Sequence, residues 1–227
     1  TNTLLGGRGD DVMTASVIAK VSSSDGSVTA INRLEGGAGN DEMSAFASAV
    51  QQPYYPDPDF FGDAQNNLFG GNGNDNMFAE IGVGSFGRSV LSGGGGNDTL
   101  TVVGGDGNIL EGGGGNDYLT GAIGTDHFHF NVMEDEGTDT FSNFDRTQDV
   151  LQFANLEDLG DTGLADDLDA ITTIIDAGAG LAVTVAFDSG TELVFDGLGT
   201  GAVSSIADLV DDPLLQLIQH DPDIFFV

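Results

Sequence analysis

The sequence predicts an all-β chain, in which stacked turns of parallel strand are followed by a small β-rich C-terminal cap with short helices. Three observations predict it. A glycine-rich pattern recurs five times, each time followed by a large apolar residue. The 36 glycines stand in clusters separated by Leu, Ile, Val and Phe, as repeated tight turns between short strands require. After residue 126 that rhythm stops and alternating apolar runs take over.

The five repeats are NTLLGGRGDDVM (2–13), NRLEGGAGNDEM (32–43), NNLFGGNGNDNM (66–77), SVLSGGGGNDTL (89–100) and NILEGGGGNDYL (108–119). Each contains Gly-Gly-x-Gly-x-Asp-x and then Leu or Met. That last residue opens a short strand, and its side chain points into the coil. One unit cannot bury it, whereas stacked units can. The leading glycines, Gly6, Gly36, Gly70, Gly93 and Gly112, are separated by 30, 34, 23 and 19 residues. All five turns are therefore expected on one edge of the stack. The opposite edge takes the longer segments 21–28, 53–65 and 81–87. Two degenerate copies stand near it: GGDGNI (104–109), read with Ile109 in the Asp position, and GAIGTD (121–126), without its second glycine.

The turn has a definite chemistry. Successive glycines allow positive φ and close backbone approach, so carbonyl oxygens converge on one point. The Asp adds a charged oxygen there. Carbonyls with a carboxylate form the hard-oxygen set suited to Ca²⁺. Composition agrees: 37 Asp and Glu face 5 Lys and Arg, a net charge of -32, and such a chain repels itself unless cations neutralise it. The same field opposes nucleic acid and anionic membranes as partners. Without cysteine there are neither disulfides nor thiolate sites, and three histidines (His127, His129, His220) are too few for an ordinary zinc centre. No apolar run reaches 18 residues, so no transmembrane segment is expected.

These repeats resemble the RTX (repeats-in-toxin) family, whose nonapeptide forms a β-helix that binds Ca²⁺. The resemblance implies a right-handed parallel β-roll over residues 1–130, with a capping region over 131–227. It implies carboxylate ligation by Asp11, Asp41, Asp75, Asp98 and Asp117, with Asp126 a weaker member because its turn is degenerate. Carbonyl ligands would come from the turns: Gly6 and Arg8, Gly36 and Ala38, Gly70 and Asn72, Gly93 and Gly95, Gly112 and Gly114. Gly37, Gly39, Gly71, Gly73, Gly94, Gly96, Gly113 and Gly115 complete those turns. Five turns on one edge leave about four sites between them. With Ca²⁺ tenfold above each Kd, linkage adds about 1.4 kcal/mol per site, roughly 6 kcal/mol for four. That is comparable to the whole stability of a domain, so folding is expected to follow calcium. By the same resemblance the chain is exported from a Gram-negative bacterium by type I secretion machinery, to the medium or the cell surface.

Beyond the repeats, HFHF (127–130) alternates as a strand, and residues 137–153 resemble the segment that follows RTX rolls. Leu164, Leu168, Ile171 and Ile175 share one helical face. LAVTVAF (181–187) and TELVF (191–195) read as a hairpin across Asp188-Ser189-Gly190. Ser205 and Asp208 fit a capping box. The final Asp223-Ile224-Phe225-Phe226-Val227 resembles an uncleaved C-terminal secretion signal, and a last packed strand is compatible with it.

An enzyme is not expected: neither the HExxH of RTX proteases nor Gly-x-Ser-x-Gly occurs. Tyr54, Tyr55, Phe60 and Phe61 lie in a Pro-rich acidic loop that offers a recognition surface for a cell-surface glycan or protein; folding back over the widened roll is the favoured reading. His127 and His129 share a strand face without an evident third ligand. Arg8-Gly9-Asp10 falls inside a turn, where its match to a recognition tripeptide is coincidental. The first repeat begins at Asn2, so the chain reads as a piece of a longer protein, of adhesin or surface-layer type. The alternative is the non-catalytic end of a secreted protease, lipase or polysaccharide-modifying enzyme, or a glycan-binding module.

Overall fold

A computed structural model describes residues 1–21, 28–51, 62–131, 136–154, 168–211 and 217–220. A strand enters and a strand leaves each glycine turn. In order these are β1 (Asn2–Arg8) and β2 (Val12–Val21), β3 (Val28–Ala38) and β4 (Glu42–Gln51), β5 (Gly62–Asn72) and β6 (Asn76–Ile81). Then follow β7 (Phe86–Gly95) and β8 (Thr99–Val103), β9 (Asn108–Gly114) and β10 (Tyr118–Thr120), β11 (Asp126–Asn131) and β12 (Thr138–Ser142). The odd strands, with β13 (Val150–Ala154) and β17 (Leu217–His220), form an eight-stranded parallel sheet. The even strands form the facing nine-stranded sheet, completed by β14 (Thr172–Asp176), β15 (Val183–Phe187) and β16 (Glu192–Phe195). The fold is the all-β parallel roll that the repeats predict.

Register turns the sequence repeat into columns of identical chemistry. Leu4, Leu34, Leu68, Leu91, Leu110, Phe128 and Leu151 stack along the inner face of the first sheet. Met13, Met43, Met77, Leu100, Leu119, Phe141 and Phe195 stack along the second. Side chains alternate across a strand, so a two-residue period puts these inside. Each buried Leu or Met contributes about 2 kcal/mol, and a single coil has no facing surface to supply it. Phe enters both columns toward the C-terminal end, as Phe128 in the first and as Phe141 and Phe195 in the second. There Phe128 meets Phe141 edge-on at 5.3 Å, and Phe141 stacks on Phe195 at 5.0 Å, so larger side chains fill the end of the roll.

The edge opposite the glycine turns is closed differently in the first coils. Asn2, Asn32, Asn66, Ser89, Asn108 and Asp126 align in register along it. Asn32 Nδ2 donates to Asn66 Oδ1 at 2.9 Å and to the Phe46 carbonyl of the facing sheet at 2.8 Å. Asn66 Nδ2 repeats the cross-link to the Glu80 carbonyl. A buried amide ladder thus stitches the two sheets together without a charge.

Four sequence expectations change. Asn108, not Ile109, occupies the Asp position of the 104–109 turn, because it pairs with Asp126 in register; that turn is one residue shorter than the others, so counting from its glycines overshoots. The helix expected on Leu164, Leu168, Ile171 and Ile175 ends at residue 170, and Ile175 lies in β14. The β-branched run Thr172-Thr173-Ile174-Ile175 favours a strand and pairs antiparallel with β15. Residue 130 interrupts neither sheet, since β12 and β13 continue the parallel stacking. Glycine-turn geometry also extends one coil further than the motifs, to Gly137 and Asp139, as shown below. The hairpin of β15 and β16 and the Ser205–Asp208 capping box stand as expected. Leu164, Tyr54, Tyr55, Phe60, Phe61 and the segment 223–227 lie outside the described residues.

Candidate metal centre

The five Gly-Gly-x-Gly-x-Asp turns stack on one edge, one coil apart. Each position of the motif has its own physical reason. Gly37 and Gly39 have φ of 107° and 132°, a region closed to most L-residues. The leading Gly36 has no such φ; there a Cβ would collide with Asp41 Oδ2 and with the Gly70 carbonyl of the next coil. At Gly6 the corresponding distances are 2.7 Å to Asp11 Oδ2 and 2.6 Å to the Gly36 carbonyl. The third position meets little or nothing, which is why Arg8, Ala38, Asn72, Gly95 and Gly114 differ freely. Ala38 and Asn72 do offer carbonyls, which accept the N–H of Gly9 and Gly39 in the preceding coil.

The last two positions form ladders of opposite sense. Oδ1 of Asp10, Asn40, Asn74 and Asn97 accepts the N–H of Asn40, Asn74, Asn97 and Asn116 in the following coil, at 2.7 to 2.9 Å. Asp10 of the Arg-Gly-Asp tripeptide is thereby engaged in the turn. Oδ1 of Asp41, Asp75, Asp98 and Asp117 accepts the N–H of Asp11, Asp41, Asp75 and Asp98 in the preceding coil. The fifth such bond is to Asp139, whose Oδ1 accepts Asp117 N–H at 3.0 Å. Asn116 Oδ1 likewise accepts Thr138 N–H, and Gly115 N–H donates to the Glu136 carbonyl. Glu136-Gly137-Thr138-Asp139 is thus the tail of a sixth turn. Its sequence signal was only the Gly-x-Asp that ends each motif.

The second oxygen tells more. Oδ2 of Asp11, Asp41, Asp75, Asp98 and Asp117 is buried and accepts no hydrogen bond. A buried unsatisfied carboxylate oxygen costs several kcal/mol unless a cation meets it. Each of the first four lies across the leading glycine from a carbonyl of the next coil: Gly36, Gly70, Gly93 and Gly112 supply those oxygens. One charged oxygen with backbone carbonyls is a site for a hard cation, and it suits Ca²⁺ better than a metal that needs several side-chain ligands. Among the described residues no three His, Asp or Glu side chains converge to offer the latter.

The carboxylates also stand close together, about 4.8 Å per coil. Two unit charges so placed repel by about 3 kcal/mol at an effective dielectric of about 20. Burial, and then these neighbours, push the carboxyls up: Asp98 to about 7 and Asp139 to about 8, with Asp75 also raised. Asp117 rises to about 6, through burial. Without a cation, Asp98 and Asp139 therefore bind protons near neutral pH.

Asp126 stands apart. It lies on the opposite edge, and both its oxygens accept hydrogen bonds, Oδ1 from Asn108 Nδ2 and Oδ2 from Ala122 N–H. His127 is half-buried outside the first sheet, and burial, with the nearby Arg88, holds its imidazole below the ordinary histidine pKa; His129 pairs with Gln152.

The family model that describes the RTX calcium-binding nonapeptide repeat (4 copies) matches residues 1–16, 29–48, 62–83, 78–108 and 102–131. No curated protein matches the chain.

Proposed function

Since the repeat region, residues 1–131, belongs to the RTX calcium-binding repeat family, whose repeats bind Ca²⁺, we propose that the chain folds on Ca²⁺ outside the cell and supports type I secretion of a larger surface or extracellular protein. The observation that carries this reading is the row of five buried Oδ2 atoms with no hydrogen-bond donor. Asp11, Asp41, Asp75 and Asp98, with the carbonyls of Gly36, Gly70, Gly93 and Gly112, hold four ions between successive turns. Asp117 with the 136–139 turn holds a fifth. RTX repeat proteins are typically exported by Gram-negative bacteria, and no helix among the described residues is long and apolar enough to cross a membrane. Cytosolic calcium lies far below the roughly 10⁻⁴–10⁻³ M at which extracellular modules bind, so the acidic column stays open until export. The decisive experiment is a calcium titration of chelator-treated protein by far-UV circular dichroism. A cooperative gain of β-signal below a few millimolar Ca²⁺, without a match in Mg²⁺, is expected; a fully folded chain in chelator refutes it. The RTX repeat family is generally non-catalytic, and we assign this chain no reaction of its own. An adhesin or surface-layer parent remains the preferred setting.

A second reading, glycan binding, has its own observation. Where the roll narrows, between the starts of β5, β7 and β9, an open cleft of about 480 Å³ is lined by Asp63, Gln65, Ser85, Phe86, Arg88 and Asp106. Phe86 is 70% exposed, a platform for a sugar face, and carboxylates and a guanidinium surround it for hydroxyls. The net charge favours a neutral saccharide over an acidic one. Binding to a panel of neutral oligosaccharides that disappears in Phe86→Ala supports it; absence of binding in the calcium-loaded chain refutes it.

A further inference from the structure

The turn 121–126, on the edge opposite the calcium column, shares with the column the close approach of its leading glycine to the Asp carboxylate. Asp126 is fully buried, and a Cβ on Gly121 would meet its Oδ2 at 2.6 Å, much as at Gly6. Its two oxygens are nevertheless satisfied from within the protein, unlike the five orphaned ones. The Gly121 and Ala122 carbonyls, which open this turn, are satisfied too, and by a single group. Asn143 Nδ2, from the following coil, donates to both, at 3.0 and 2.9 Å.

Asn143 is held there at a cost. Its φ is 62°, and among the described residues it is the one non-glycine with a positive φ; such a conformation is strained by about 1 kcal/mol or more, least for Asn. The amide orientation follows from its partners. Turned over, Oδ1 would face two carbonyl oxygens, whereas Nδ2 has one proton for each.

We propose that Asn143 takes the place of a cation at this turn, and that this residue decides that the turn 121–126 carries no metal. A neutral amide with two protons does here what a divalent ion does on the other edge: it draws the carbonyls of one coil onto a group of the next. The buried acid Asp126 keeps its place by hydrogen bonds alone. The inference rests on calcium occupying the column of Asp11 to Asp117, and it excludes Asp126 from the ligands.

The exchange of one atom tests it. Asn143→Asp sets a carboxylate oxygen against the Gly121 and Ala122 carbonyls, in the turn that carries Asp126, and only a cation relieves that set. Bound Ca²⁺ per full-length chain, counted by native mass spectrometry and by metal analysis after gel filtration in calcium, is expected to rise by one ion. Asn143→Gly keeps the positive φ without the amide; it is expected to melt lower in calcium and to bind as many ions as the unsubstituted chain. The proposal is overturned if Asn143→Asp gains no ion or fails to fold in saturating calcium, or if Asn143→Gly loses one, because the amide oxygen then faced a metal. Asp98→Asn run alongside separates the two readings: if that variant keeps every ion, the calcium column itself is wrong.

Discussion

Asp75 Oδ1 accepts the backbone N–H of Asp41 at 2.7 Å, across 34 residues of sequence and one coil of the roll. The same carboxylate leaves Oδ2 buried without a donor. One side chain thus divides two tasks between two atoms: one oxygen aligns adjacent coils, and the other faces the space beside the leading glycine. The division explains why Asp rather than Asn ends each motif, although Asn would serve the alignment equally well.

Asp75→Asn separates the tasks. The amide keeps an acceptor for Asp41 N–H and replaces the charged oxygen with a donor aimed at the Gly93 carbonyl. Bound calcium is expected to fall by at least one ion per chain, and the midpoint of the calcium titration to rise several-fold. Isothermal titration of Asp75→Asn beside the unsubstituted chain checks both; an unchanged stoichiometry refutes the role of Oδ2.

Two glycines of one turn carry opposite expectations. A Cβ at Gly112 would strike the Asp117 carboxyl, whereas Gly114 has no positive φ and open space around its Cα. Gly114→Ala is expected to be neutral or to stabilise the calcium form by about 0.5 kcal/mol, because it restricts the unfolded chain. Gly112→Ala is expected to cost about 2 kcal/mol or more by overpacking, and to weaken calcium binding as well. Thermal melts in excess calcium distinguish the pair, and equal losses would contradict the geometry.

The calcium edge was legible in the sequence because its turn constrains nearly every position: crowding requires Gly36, positive φ requires Gly37 and Gly39, and the ladders require Asn40 and Asp41. Asp139 escaped notice because its turn keeps only Gly137 of those glycines, and the signal had shrunk to Gly-x-Asp. The amide ladder escaped for a different reason. Asn2, Asn32, Asn66 and Asn108 open four of the five repeats, but an Asn before a strand is common in turns, and only the register reveals that the last three are buried and that the first three are bonded across to the facing sheet. Ile109 was misplaced through a turn one residue short. The helix was misread because a 3.6-residue apolar period outweighed the β-branched run at Thr172–Ile175, which the pairing with β15 stabilises.

Acidity acts in opposite directions with and without calcium. Asp98, Asp117 and Asp139 have folded values of about 7, 6 and 8 against an ordinary value near 3.8. A carboxyl raised in the folded state penalises folding above its folded value; the penalty shrinks as pH falls through that value and vanishes below the unfolded one. Calcium-free protein is therefore expected to gain β-structure on acidification from pH 8 toward pH 5. Calcium binding requires the deprotonated groups, so its midpoint is expected to rise over the same range. Circular dichroism across pH 5–8, with and without calcium, reads both slopes, and a calcium-free chain that loses structure on acidification contradicts the buried column.

In the first coils the opposite edge should respond to neither calcium nor pH in this way, because amides hold it there; only farther along do the buried acids Asp126 and Asp149, both raised by burial, take over. Asn32 is fully buried and donates to Asn66 Oδ1 and to the Phe46 carbonyl. Asn32→Ala leaves both acceptors unpaired and opens a small cavity, at a cost of about 2–4 kcal/mol. Asn32→Asp retains the shape but places a charge beside Asn66 Oδ1, and is expected to cost more at neutral pH. In saturating calcium both variants should melt well below the unsubstituted chain while binding the same number of ions. Were Asn32→Ala to lose an ion, the two edges would be coupled through the sheets, and calcium would be fixing the register that the amide ladder otherwise sets alone.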